Sequence, residues 1–237
     1  MKKILFVIII GLCCCKSHRS DHNLIEPEND PSTFIDTTLK VLPQSDSIKK
    51  YSDKMKRFYR FTEPSKIAED WFLPFDISDR SDLESIRLIS DYGTYRSGHV
   101  KGHRHSGIDI VPVGNKDSII VFPSSAGTIC LIRPTAPNKT VIIKHKLNDS
   151  TVIYSSYIHL KNIYVKNGQQ VDQNTLIGVL YSKVEASEYH GNYDHLHFEI
   201  KKRIDDYCCA SWLCMSQTEL EEYFYNPLDF LKPVLKP

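Results

Sequence analysis

The chain has 237 residues, of which 41% are hydrophobic and 25% charged: an ordinary globular composition with room for one good-sized domain and an appendage. The formal net charge is +1 and no basic stripe stands out, which excludes a nucleic-acid partner. Any charged partner has to be met by local patches, not by the net field.

The first segment reads MKKILFVIIIGLCCCKSHRS. Lys2 and Lys3 precede an apolar run, Ile4 to Leu12, that is too short to span a bilayer but suits an export signal. Residues 1–15 are therefore expected to be a signal peptide with lipobox-like cysteines. Leu12 stands three residues before Cys15, which favours Cys15 as the lipid-bearing residue; a plain cleaved secretory signal is the alternative. Either way the mature protein is expected in the cell envelope, facing the periplasm or the cell surface, and with the lipid it is anchored to a membrane.

Residues 16–45 are polar and aperiodic and read as a flexible tether. Residues 46–70 read as a short helical extension. Ile48, Tyr51, Met55, Phe58 and Tyr59 recur at three- and four-residue steps, Pro64 breaks the pattern, and Ser65 can start a second short helix. From Trp71 to residue 237 the character changes. Short runs rich in Val, Ile, Tyr and Phe alternate with turn residues: SIIVF, GTICLI, TVIIKH, STVIYSSYI, TLIGVLY and HLHFEI. The expected fold is all-β, a sandwich or barrel-like domain, with a turn at Asn167-Gly168. Near the end, CCASWLC lacks paired C-x-x-C spacing, so a structural metal site there is disfavoured. In an exported chain a disulfide from Cys214 to Cys208 or Cys209 is the better expectation.

Three segments carry chemistry. In YDHLHFEI, His195 and His197 share one strand face with Glu199, while Leu196 and Phe198 point into the core. The histidine pair is expected to be exposed. Spacing leaves open whether both bind a metal or one is a ligand and the other a base. In HRHSGIDI, His105 and Asp109 would stand about 13 Å apart on a straight strand, so sharing a metal requires a bend, which Ser106-Gly107 can supply. In YSSYIHL, His159 ends a strand, and alone it reads as a partly buried histidine.

Together and in order, these elements resemble the lysostaphin-type zinc metallopeptidases, a family of peptidoglycan endopeptidases. The likeness runs from about Leu88 to Leu231. It is carried by DYGTYR, HSGIDI, VFPSSAGTI, TVIYSSYIHL, VKNGQQVDQNTLIG, HLHFEI and NPLDFL, with Asn174 where glycine is usual. The resemblance implies one zinc ion held by His105, Asp109 and His197, with His159 and His195 as the catalytic histidines. It also implies cross-linking peptides of peptidoglycan as substrate. Glu199 is either a group orienting a ligand or a surface residue. The loop SEYHGNYDHLH departs from the family's small-residue approach to H-x-H; with Tyr189, His190, Tyr193 and Asp194 it is expected to border the substrate groove. His99, His103 and His190 are expected to be solvated loop residues. Competing expectations are a catalytically inactive domain of the same fold that regulates another wall hydrolase, and a wall amidase or carboxypeptidase. All five site residues are present, which favours the enzyme.

Overall fold

The computed structural model describes residues 66–96, 102–114, 118–204 and 216–235. The expected signal, tether, cysteine cluster and His99 lie outside the described residues, as does the helical extension up to residue 65.

The described chain is built from short strands. They are β1 (Ile86–Ser90), β2 (Tyr95–Arg96), β3 (His103–Arg104), β4 (Ile108–Pro112), β5 (Ile120–Val121), β6 (Gly127–Arg133) and β7 (Thr140–Lys146). There follow β8 (Val152–Ile158), β9 (Leu160–Ile163), β10 (Gln170–Val171), β11 (Gly178–Leu180), β12 (Leu196–Lys201) and β13 (Phe224–Tyr225). The main sheet is antiparallel, in the order β1-β4-β12-β8-β7-β6-β10, with β13 pairing the far end of β12. A second sheet runs β5-β11-β9, and β2 and β3 form a separate hairpin. The all-β expectation holds. The β-rich runs read from the sequence contain β5, β6, β7, β8, β11 and β12. The turn at Asn167-Gly168 is present, with Gly168 at φ +81°, a conformation that glycine adopts without steric cost.

Among the described residues three short α-helices punctuate the strands: α1 (Lys183–Ser187), α2 (Gln217–Tyr223) and α3 (Pro227–Leu231). Each starts where a side chain satisfies the first free N–H groups. Ser182 with Glu185 and Ser216 with Glu219 form capping boxes, and Asn226 caps α3 with Pro227 in its first turn.

One apolar cluster lies beneath the main sheet and includes Ile108, Ile110, Ile129, Val141, Ile143, Tyr157, Phe198 and Ile200. Each such side chain contributes roughly 1.5–3 kcal/mol when fully buried. Trp71, Leu73 and Phe75 join it from the segment before β1. That segment corrects the expected second helix: residues 66–70 are extended. Ile67 bridges Lys146 in parallel, and the Ala68 N–H donates to the Lys146 carbonyl at 2.8 Å. Pairing with the last residue of β7, with Ala68 buried, outweighs the local helical preference.

A buried polar chain crosses the same sheet away from β4. His145 on β7 is fully buried; its Nδ1 is 2.7 Å from the Ala126 carbonyl and its Nε2 2.7 Å from Ser155 Oγ. Ser155 Oγ is 3.0 Å from Tyr157 Oη, and the Ser124 N–H donates to that phenol at 2.7 Å.

Candidate active site

The site is a product of register. Across β4 and β12, Asp109 pairs with His197. Across β12 and β8, His197 pairs with Ile158, so His159 comes one residue beyond the end of β8. His105 arrives from the β2–β3 hairpin: its N–H donates to the Thr94 carbonyl at 3.0 Å and its carbonyl accepts from the Gly93 N–H at 2.8 Å. The chain then bends through Ser106 and Gly107 into β4. A Cβ at Gly107 would stand 2.2 Å from the Phe198 carbonyl oxygen, so only glycine lets the bend lie on β12.

The bend brings His105 and Asp109 together, as a shared metal site requires. His105 Nε2 is 3.0 Å from Asp109 Oδ1, His197 Nδ1 is 3.0 Å from the same oxygen, and the two ring nitrogens are 2.9 Å apart. These three buried side chains form a group that could hold a metal ion. His195 Nε2 lies 3.4 Å from Asp109 Oδ1, and the His195 and His159 rings are 5.0 Å apart. His159 is half-buried and sits at φ +72°, a strained conformation for a side chain with a Cβ. All five residues singled out in the sequence therefore meet in one place.

The donor set fits a cation. Two nitrogens and a carboxylate oxygen face one another at about 3 Å, and lone pairs so placed repel unless a positive charge lies among them. Two imidazoles and one carboxylate form a donor set zinc accepts, and three protein ligands leave a position open. Each imidazole is also held from behind. His105 Nδ1–H donates to the Asp91 carbonyl at 2.8 Å, and His197 Nε2–H donates to Glu199 Oε1 at 3.0 Å. In both, the nitrogen facing the cluster is the one turned to a cation, whether a proton or a metal ion.

The charge pattern calls for a positive charge among these groups. Burial alone would raise the Asp109 carboxyl, but hydrogen bonds from His105, His195 and His197 hold it far below the usual carboxylate range. Burial opposes a charge on His197, yet Asp109 and Glu199 on its two nitrogens raise it to about 9. Burial pushes His105 down against its bond to Asp109. Burial, with His195 and His197 nearby, pushes His159 well below its ordinary value.

Three expectations change. His195 and His197 are buried, each 8% exposed, because β12 is an interior strand with β4 and β8 on either side. His103 is also buried, not solvated, since β3 folds back on β2. Glu199 is fully buried, which settles its surface reading in favour of contact with His197. His190 is exposed, as expected.

Two contributors lie in DYGTYR but had no role assigned from sequence: Asp91, through its backbone carbonyl, and Arg96, whose guanidinium is 2.5 Å from Asp109 Oδ2. A cavity of about 760 Å³ opens beside Asp109 and His195. It is walled on one side by Arg87, Ile89 and Ser90 of β1 and on the other by Gly191, Asn192, Tyr193 and Asp194. The unusual loop thus borders the groove.

Comparison with known proteins finds a family model that matches the segment bearing the site. Residues 103–207 match the model of peptidase family M23. Among solved structures, the antimicrobial peptidase lysostaphin from Staphylococcus simulans is similar at 20% identity over 71% of this chain and 56% of that one, with a TM-score of 0.45. A zinc containing peptidase from Vibrio cholerae matches at 21% identity over 57% of this chain and 37% of its own, with a TM-score of 0.38. The SpoIIQ–SpoIIIAH pore forming complex matches at 21% identity over 69% of this chain and 91% of that chain, with a TM-score of 0.44. Among curated proteins there is no match.

Proposed function

We propose that this protein, whose residues 103–207 match the model of peptidase family M23, is an exported zinc-dependent endopeptidase that hydrolyses peptide cross-links of bacterial peptidoglycan. The observation that carries the reading is the convergence of His105 Nε2, Asp109 Oδ1 and His197 Nδ1 at 2.9–3.0 Å, with His195 lining the groove and the His159 ring 5.0 Å from the His195 ring. His105, Asp109 and His197 hold one zinc ion. When bound, zinc supplies a Lewis acid for the scissile carbonyl and makes a water acidic enough to attack near neutral pH.

The remaining work falls to this chain. His159 and His195 line one side of the reacting position; they accept the proton of the attacking water and return one to the leaving amine. The Arg96 guanidinium holds the second oxygen of Asp109, leaving Oδ1 turned to the cluster. The groove between β1 and the 191–194 loop receives an extended peptide. The N-terminal run of Ile4 to Leu12 followed by Cys15 supports export with a lipid anchor, which intact-mass analysis of membrane-extracted protein would test.

The deciding experiment is mass spectrometry of muropeptides after digesting purified wall, with and without a chelator. Loss of cross-linked dimers to monomers, abolished by chelation and restored by zinc, is the expected result. Release of intact stem peptides from the glycan would make the protein an amidase. No cleavage by the zinc-loaded protein would leave the regulatory domain as the reading.

A further inference from the structure

We infer that Glu199, Lys201 and Ser106 form a buried positioning unit that fixes His197 for metal binding and ties together the two chain segments bearing the ligands. The inference rests on the zinc reading above.

Alternation along β12 sets His197, Glu199 and Lys201 in a row on one face of the strand. Glu199 and Lys201 are both completely shielded from solvent. Glu199 Oε1 accepts from His197 Nε2–H at 3.0 Å and also accepts from the Ser106 hydroxyl. Lys201 Nζ stands 2.9 Å from the other oxygen, Oε2, and 4.6 Å from the centre of the Phe224 ring.

Each part needs the next. An ionised carboxylate only accepts hydrogen bonds, so Glu199 keeps the proton of His197 on Nε2 and leaves Nδ1 open toward Asp109 and His105. A carboxylate in a dry interior is costly unless an opposite charge and hydrogen bonds compensate it, and Lys201 Nζ, 2.9 Å from Oε2, supplies that charge. Ser106 lies between His105 and Gly107, so the same carboxylate fastens the ligand-bearing bend to the ligand-bearing strand. Stability does not account for the pair, because buried ion pairs replaced by apolar groups of similar volume are often neutral or more stable. Its position directly behind a ligand does.

The test uses metal-free protein of the full chain, zinc titration in competition with a chromophoric chelator, and thermal melts of the same samples. The double variant Glu199→Gln/Lys201→Met removes both charges at similar volume. It is expected to fold with a melting temperature near the parent's and to bind zinc 10- to 100-fold more weakly, the usual effect of losing a partner behind a metal ligand. Ser106→Ala, which keeps the ion pair, is expected to fold and to weaken zinc binding several-fold. A merely structural pair would move melting and leave the affinity of folded protein alone. Parental zinc affinity in both folded variants overturns the inference while leaving the zinc reading intact. A parent that takes up no zinc overturns the zinc reading, and the inference with it.

Discussion

Two groups of buried histidines lie in the same antiparallel sheet, and they solve opposite problems. Around His145 the polar groups close on themselves in one consistent proton arrangement. The Ser124 N–H serves Tyr157, the Tyr157 hydroxyl serves Ser155, the Ser155 hydroxyl serves His145 Nε2, and His145 Nδ1–H serves the Ala126 carbonyl. Nothing is left to bind. Around His197 the donors point away from the centre, to the Asp91 carbonyl and Glu199, and acceptors converge. Burial of a histidine therefore does not mark a site. What marks it is where the lone pairs are sent once the surrounding groups have fixed the protons.

The largest effects should come from breaking the convergent group. On the proposed zinc reading, His105→Ala, Asp109→Ala and His197→Ala each leave two protein ligands. Zinc content per folded protein should fall from near one to near zero, and wall cleavage should drop below detection. His195→Ala and His159→Ala should instead keep near-stoichiometric zinc and lose roughly 10²- to 10⁴-fold in cleavage rate, the range for a positioned acid or base. Zinc analysis beside muropeptide release separates the two classes. If His195→Ala sheds the metal and His197→Ala retains it, the division of the H-x-H pair is reversed.

The convergent half of this contrast was readable in the sequence; the closed chain around His145 was not. The bend was forced by the distance between His105 and Asp109 and made available by Ser106-Gly107; alternation put His195, His197 and Glu199 on one face. What was not readable depends on partners distant in sequence. Lys201 continues the polar face of β12 and by pattern alone would be solvated; it is fully buried, paired with Phe224 of β13, whose ring meets its ammonium. Asp91 acts through a backbone carbonyl, which carries no side-chain signature. Arg96 is one arginine among many until the hairpin sets it beside Asp109. Residues 66–70 have a helix-compatible sequence but pair with the end of β7.

The His145 group offers a pH test of the same contrast. Burial pushes His145 down to about 4, against its bond to the Ala126 carbonyl. Above its unfolded value of about 6.5 the ring is neutral in both states, and the group's contribution to stability is fully present. As pH falls from about 6.5 to 4, the unfolded chain takes up a proton that the folded ring refuses, so stability is lost across that window, by roughly 3 kcal/mol in all. Denaturant unfolding of the zinc-loaded parent and of His145→Gln at stepped pH isolates this slope, since every other titrating group is common to both. Equal slopes in the two proteins would mean that His145 is not held neutral by the fold.

The smallest expected effect is the sharpest separation of the two groups. Ser155→Ala removes the hydroxyl linking His145 to Tyr157, so His145 Nε2 loses its donor and the Tyr157 hydroxyl loses its acceptor. Leaving such buried groups unpaired costs about 1–3 kcal/mol. For a domain of this size that lowers the melting temperature by roughly 2–10 °C. Ser155 lies on β8, where it pairs with Ile200 of β12, three residues along from His197, and it contributes no atom to the metal cluster. Zinc affinity and cleavage rate of the folded variant should therefore match the parent's. A variant that melts early but cuts wall at the parental rate confirms that the closed chain serves the fold and the convergent cluster serves the chemistry. If cleavage falls while zinc stays bound, strain at Ser155 is reaching His159 along β8, and the two groups are coupled, not separate.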